Sequence, residues 1–145
     1  MEGNTVLANE ILALAIADGR GYARLLKHDL GRRALLLERL GVPLKDLGYS
    51  TSDQMNIICT ALRESWTQNI PSGTPLPTGA GAAGWFAAFI SELWEKLGKP
   101  CSRRAINTAL SFTESRAAAF HPETSVLVHG DAHHGNILQV LPQNP

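Results

Sequence analysis

The stretch VLVHGDAHHGNIL, residues 126–138, decides how this chain is read. The run from Thr124 to His129 has the β-branched bias of a strand, and ILQVL, residues 137–141, resumes the same pattern. Two strands are therefore predicted, over 124–129 and 137–141, with a polar loop between them. That loop concentrates His129, Gly130, Asp131, His133, His134 and Asn136 within eight residues.

Asp131 precedes Asn136 by five residues, the separation found in kinase catalytic loops. The spacing suits phosphoryl transfer because one carboxylate must face the acceptor hydroxyl while the Asn carbonyl reaches Mg²⁺. Little covalent chemistry is asked of such a site, so a tight loop that positions one base and metal ligands on the phosphates supplies most of what is needed. Gly130 allows a sharp backbone turn beside the acid, and His129 locks the loop through a hydrogen bond from a packed ring. Both are supports rather than reacting groups.

Working outward, the chain reads as mainly helical. From Val6 to Ala17, Leu7, Ile11, Leu14 and Ile16 recur near helical spacing until Asp18-Gly19 supplies a stop. Residues 21–27 and 34–40 are two apolar runs joined by the polar, Gly-containing segment HDLGRR, a pattern suited to a β-hairpin. The second run, ALLLERL, is expected to be buried and is equally compatible with a helix. A helix over 52–66 follows, capped from within 50–53 and presenting Ile57, Ile58, Ala61 and Leu62 on one face. Three prolines and four glycines make 70–84 a predicted loop. Beyond it Trp85, Phe86, Phe89, Ile90, Leu93, Trp94 and Leu97 repeat at helical spacing and are expected in the core, with Gly98 closing that helix and another running over 102–120.

With 145 residues and 44% hydrophobic content, the chain can bury one real core but is short for a two-lobed enzyme. Thirteen basic residues balance thirteen acidic ones, which argues against a nucleic-acid footprint or an anionic membrane surface. Cys59 and Cys101 stand apart, so buried free thiols in a reducing, cytoplasmic compartment are expected rather than disulfides or a zinc knuckle. The apolar stretch near the N-terminus is too short to span a bilayer and lacks the basic region of a secretion signal.

HGDAHHGN, residues 129–136, resembles the HGDxHxxN signature of aminoglycoside and choline kinase-like phosphotransferases. DGRGYARLL, residues 18–26, and ALLLERL, residues 34–40, resemble the subgroup of aminoglycoside/hydroxyurea antibiotic resistance kinases, so the likeness covers most of the chain. The resemblance implies an α+β, mainly helical, partial protein-kinase-like fold. Residues 1–41 would be a remnant of the N-terminal lobe and 42–145 a partial C-terminal lobe. It implies Asp131 as the base acting on a hydroxyl of an aminoglycoside-like small molecule, ATP as the donor and Asn136 as a Mg²⁺ ligand. Residues 37–40 become the hinge, with the backbone of Glu38 and Leu40 facing adenine, and Glu10 falls where the family places a lysine-pairing Glu.

Kinases of this type carry a lysine for the nucleotide phosphates ahead of that helix, and a second acidic metal ligand after the Asn. Lys27, Lys45, Lys96 and Lys99 are not placed for the first role, and the sequence stops at Pro145 before the second. The expectation is a piece truncated at both ends, inactive as it stands, with uncovered apolar surface favouring self-association. Three other readings stay open. His129, Asp131 and Asn136 can simply cap a turn. His129, Asp131 and His133 can form the metal cluster of a hydrolase, which needs ligands beyond those three. Finally, the chain can be a noncatalytic interaction fragment.

Overall fold

A computed structural model describes residues 2–142, and these divide into two compact units. The first unit comprises residues up to Thr74 together with those from Val126 onward; the second is Pro75–Ser125.

In the first unit, helix α1 spans Glu2–Ala17 and buries Leu14 and Ala17. It ends at the predicted place because Asp18 and Gly19 both take left-handed backbone angles, φ 47° and 79°, which no helix can continue. Strands β1 (Leu25–Asp29) and β2 (Ala34–Leu37) then form the expected antiparallel hairpin, with Leu25 opposite Leu37 and Asp29 opposite Ala34. Its turn is organised by Asp29 Oδ1, which accepts the Arg32 N–H at 2.9 Å. The apolar run that begins β2 is not buried, contrary to expectation: Leu36 and Leu37 are exposed, because this ribbon has no third strand among the described residues.

After the hairpin the chain makes a single 3-10 turn at Leu44–Asp46, whose Leu44 is almost fully buried, and enters α2, Thr51–Trp66. Ser50 caps α2 with a hydroxyl that accepts the Asp53 N–H at 3.2 Å. Ile58 is buried, and Ile57, Ala61 and Leu62 flank it half-buried on the predicted face.

The second unit is built from α3 (Gly79–Lys96) and α4 (Arg103–Ala118), packed against each other. Helix α3 starts inside the segment expected to be loop throughout. Each interior glycine costs roughly 1 kcal/mol of helix propensity; Thr78 offsets part of this by accepting the Gly81 N–H at 3.1 Å, and Ala83 buries against the neighbouring helix. The helix closes at Gly98, φ 68°, where Gly98 N–H donates to Glu95 O and Lys99 N–H to Trp94 O.

The expected aromatic core is only partly realised. Trp94 is buried, whereas Trp85, Phe86, Phe89, Leu93 and Leu97 are exposed. The covered positions of α3 are Ala80, Ala83, Ala87, Ile90 and Trp94, a three-and-four spacing met by Ile106, Leu110, Thr113 and Ala117 on α4. The face carrying the three alanines, Ile90 and Trp94 is the covered one, and the aromatic stripe beside it is left outside. The thiols of Cys59 and Cys101 are likewise exposed rather than buried. Among the described residues no helix is long and apolar enough to cross a membrane.

Candidate functional site

The segment from Val126 enters the first unit as extended chain without a ladder partner. Leu127 points inward and is buried, while Val126 and Val128 are exposed, which preserves the alternation of a strand. The two predicted strands nevertheless do not form. Residues 124–129 have no neighbouring strand, and 137–141 contribute a single bridge, Leu138 opposite Pro43. Pro43 sits at the position of this bridge whose N–H faces away from the partner, so its missing donor costs no bond, and the backbone bonds run on both sides of it.

The pairing that does exist fixes the end of the loop. Leu44 N–H donates to Ile137 O at 2.8 Å, Lys45 N–H to His134 O at 3.1 Å, Gly41 N–H to Gln139 O at 2.7 Å, and Gln139 N–H to Val42 O at 3.0 Å. The chain following the hairpin thus clamps the residues around Asn136. At Gly41 the approach is close: a Cβ would stand 3.1 Å from both Gln139 Oε1 and Leu141 Cδ2, the ends of two flexible side chains.

Within the loop, Gly130 turns the backbone at φ 81°. The Asp131 N–H donates to His129 Nδ1 at 3.3 Å, and four residues later the Gly135 N–H repeats the arrangement on His133 Nδ1 at 3.0 Å. A ring nitrogen that accepts must be unprotonated, so each neutral imidazole carries its proton on Nε2. His133 Nε2 lies 3.8 Å from Asp131 Oδ2. Asn136 Nδ2 donates to the Asp131 main-chain oxygen at 2.9 Å and to Asp131 Oδ2 at 3.0 Å, which closes the loop across the five-residue spacing.

Both Asp131 atoms are pure acceptors, so the amide nitrogen must face them, and the Asn136 carbonyl oxygen is directed elsewhere. The site then offers one oriented amide oxygen and an exposed carboxylate, its side chain 77% accessible. Hard oxygen donors of this kind fit Mg²⁺. The hydrolase cluster fares differently: among the described residues no group of three or more His, Cys, Asp or Glu side chains could hold a metal ion. His129 is turned into the protein, its ring stacked on Tyr22 with centroids 5.6 Å apart and planes 23° from parallel.

Glu38 lies at the end of the hairpin, where its N–H donates to Arg24 O at 2.9 Å and its carboxylate accepts the Arg24 N–H at 2.6 Å. The Glu38 carbonyl and the Leu40 N–H have no hydrogen-bond partner among the described residues. Glu10 is exposed on α1 and pairs with no cation there.

Two residues had no role in the sequence reading. Gly21, φ 69°, lies flat on α2, where a Cβ would meet Ser65 N at 2.7 Å and Ala61 O at 2.8 Å. Tyr22 follows it with a buried hydroxyl that makes no well-formed hydrogen bond. Burial pushes the Tyr22 phenol above its ordinary range; the nearby Ser65 hydroxyl opposes the shift weakly and itself donates to Leu62 O. The second glycine of DGRGY was the available signal, since a glycine pair before a strand marks close backbone approach.

A model of the aminoglycoside/hydroxyurea antibiotic resistance kinases matches residues 7–142. A mainly helical α+β chain with this loop therefore falls in the general class of antibiotic resistance kinases. The chain belongs to the aminoglycoside/hydroxyurea antibiotic resistance kinase family. No curated protein and no solved structure matches it.

Proposed function

We propose that this chain carries the catalytic loop of a protein-kinase-like phosphotransferase that moves a phosphoryl group from ATP to an alcohol group of a small molecule such as an aminoglycoside. The observation that carries the reading is the Asn136 amide seated on Asp131 at 2.9 and 3.0 Å, which leaves the carboxylate exposed and the amide oxygen free. Asp131 is the base that orients the acceptor hydroxyl and takes its proton. Asn136 holds Mg²⁺, which when bound neutralises phosphate charge. His129, Gly130 and His133 shape the loop around the base.

On this reading residues 1–41 descend from an N-terminal lobe and 42–145 from a C-terminal lobe, with 37–40 as the hinge. The unpartnered Glu38 carbonyl and Leu40 N–H are the acceptor and donor that an adenine edge requires. Turnover by this chain alone is expected to be negligible, because none of its four lysines pairs with Glu10 among the described residues.

The test has two parts. Mn²⁺ with ATP, used as a paramagnetic stand-in for Mg²⁺, should broaden the amide signals of Asp131 and Asn136 selectively, and Asn136→Ala should abolish the effect. A phosphoryl-transfer assay with Mg·ATP and a panel of aminoglycosides and hydroxyurea then compares the chain with Asp131→Asn. Any turnover must vanish in that variant. Uniform broadening, or turnover that survives Asp131→Asn, would refute the assignment.

A further inference from the structure

We infer that Tyr22 is a positioning residue for Asp131, acting through the ring of His129; the word positioning rests on the reading of Asp131 as the base. The carboxylate of Asp131 is largely exposed and is held on its C-terminal side by Asn136 Nδ2, which donates to its main-chain oxygen and to Oδ2, so the rest of its placement depends on how the backbone before it is held. On the N-terminal side that hold is one bond, from the Asp131 N–H to His129 Nδ1 at 3.3 Å. A bond this long is useful only if the accepting ring stays in place. Among the described residues the one aromatic partner of that ring is Tyr22, stacked at 5.6 Å and 23°.

Tyr22 is itself well anchored. Gly21 is pressed against the backbone of α2 at Ala61 and Ser65 with no room for a Cβ, which fixes the chain immediately before the tyrosine. The Tyr22 hydroxyl is buried. A continuous line of contacts therefore runs from α2 through Gly21 and Tyr22 to His129 and the amide of Asp131. Other restraints on the loop bypass it: Gly135 N–H donates to His133 Nδ1, and Asn136 N–H to His133 O at 2.8 Å. A stacked aromatic pair favours the closed arrangement by about twofold to tenfold in population.

The experiment uses hydrogen exchange and ¹⁵N imidazole shifts on the intact chain, so it reads loop geometry whether or not the protein turns over. In Tyr22→Phe the ring is kept, and the Asp131 amide and the His129 Nδ1 signal should match the parent. In Tyr22→Leu the Asp131 amide should lose about twofold to tenfold of its protection, the His129 Nδ1 shift should move, and the Gly135 and Asn136 amides should be unchanged. Should Tyr22→Leu not fold, His129→Asn takes its place: it keeps a side-chain acceptor but loses the stack, and the same selective loss is expected. Unchanged protection of Asp131, or an equal loss at Gly135 and Asn136, would overturn the inference. Failure of the phosphotransfer assay alone would leave it standing as a statement about the loop.

Discussion

Replacing Gly21 by alanine asks how much the close approach of this glycine to α2 is worth. Two separate costs are involved. At φ 69° a Cβ brings the left-handed penalty of about 1–2 kcal/mol. The same Cβ would lie 2.7 Å from Ser65 N, 2.8 Å from Ala61 O and 3.0 Å from Ser65 Cβ. Backbone atoms of a helix cannot rotate aside, so the segment must lift, and overpacking of this kind costs typically about 1–3 kcal/mol. The sum, about 2–5 kcal/mol, should be read as a lowered midpoint in urea unfolding followed by circular dichroism. Gly48→Ala is the internal control, because Gly48 has φ 73° but no atom within 4 Å of the added carbon. It carries the conformational cost without the contact. The difference between the variants isolates the packing against α2, and it should be at least about 1 kcal/mol. Equal destabilisation by the two substitutions would refute the argument that Gly21 is held by contact rather than by backbone angle.

Two further outcomes are expected. Burial raises the Tyr22 phenol above its ordinary value of 10.0, so its folded-state pKa exceeds the unfolded one; the associated stability is complete below pH 10 and is lost as pH rises from there through the folded value. Melting temperature followed from pH 8 upward should fall more steeply for the parent than for Tyr22→Phe, and identical slopes would remove the buried phenol as the cause. The exposed stripe Trp85, Phe86, Phe89, Leu93 and Leu97 is expected to drive self-association at high concentration; sedimentation should show a concentration-dependent increase in mass that Phe89→Glu reduces, and concentration-independent monomers would contradict it.

The local order of the chain was largely legible because its signals are short-range. The end of α1 at Asp18-Gly19, the Ser50 cap and the Gly98 terminus each depend on residues within a few positions of the event. The internal geometry of the loop is of the same kind. The contacts from Asp131 to His129, from Gly135 to His133 and from Asn136 to Asp131 span two to five residues, so a sequence pattern can encode them. What failed was long-range. A strand needs a partner as well as a β-branched run, and neither 124–129 nor 137–141 met one beyond the bridge at Pro43. The stripe on α3 failed for a related reason: hydrophobic size suggested the aromatic face as core, while which face is covered depends on where α4 packs, and that face carries Ala80, Ala83, Ala87, Ile90 and Trp94.

The same distinction bears on how the site is held. Its shape is written in local hydrogen bonds, yet every one of those bonds is exposed to solvent, and exposed bonds contribute little each. Local pattern alone therefore leaves Asp131 free to wander. Two long-range attachments restrict it, one at each end of the loop. At the C-terminal end, residues 41–45 bond to 134–139 through four backbone hydrogen bonds. At the N-terminal end, the buried Leu127 and the stacking of His129 on Tyr22 take over. Both attachments start from the chain that flanks the hairpin, Gly21-Tyr22 before it and 41–45 after it. The flanks and not the hairpin strands therefore hold the two ends of the loop, the first of them seated on α2 through Gly21, so Gly21→Ala or Tyr22→Leu should change the exchange protection of the Asp131 amide while a substitution in the hairpin turn at 30–33 leaves it unchanged.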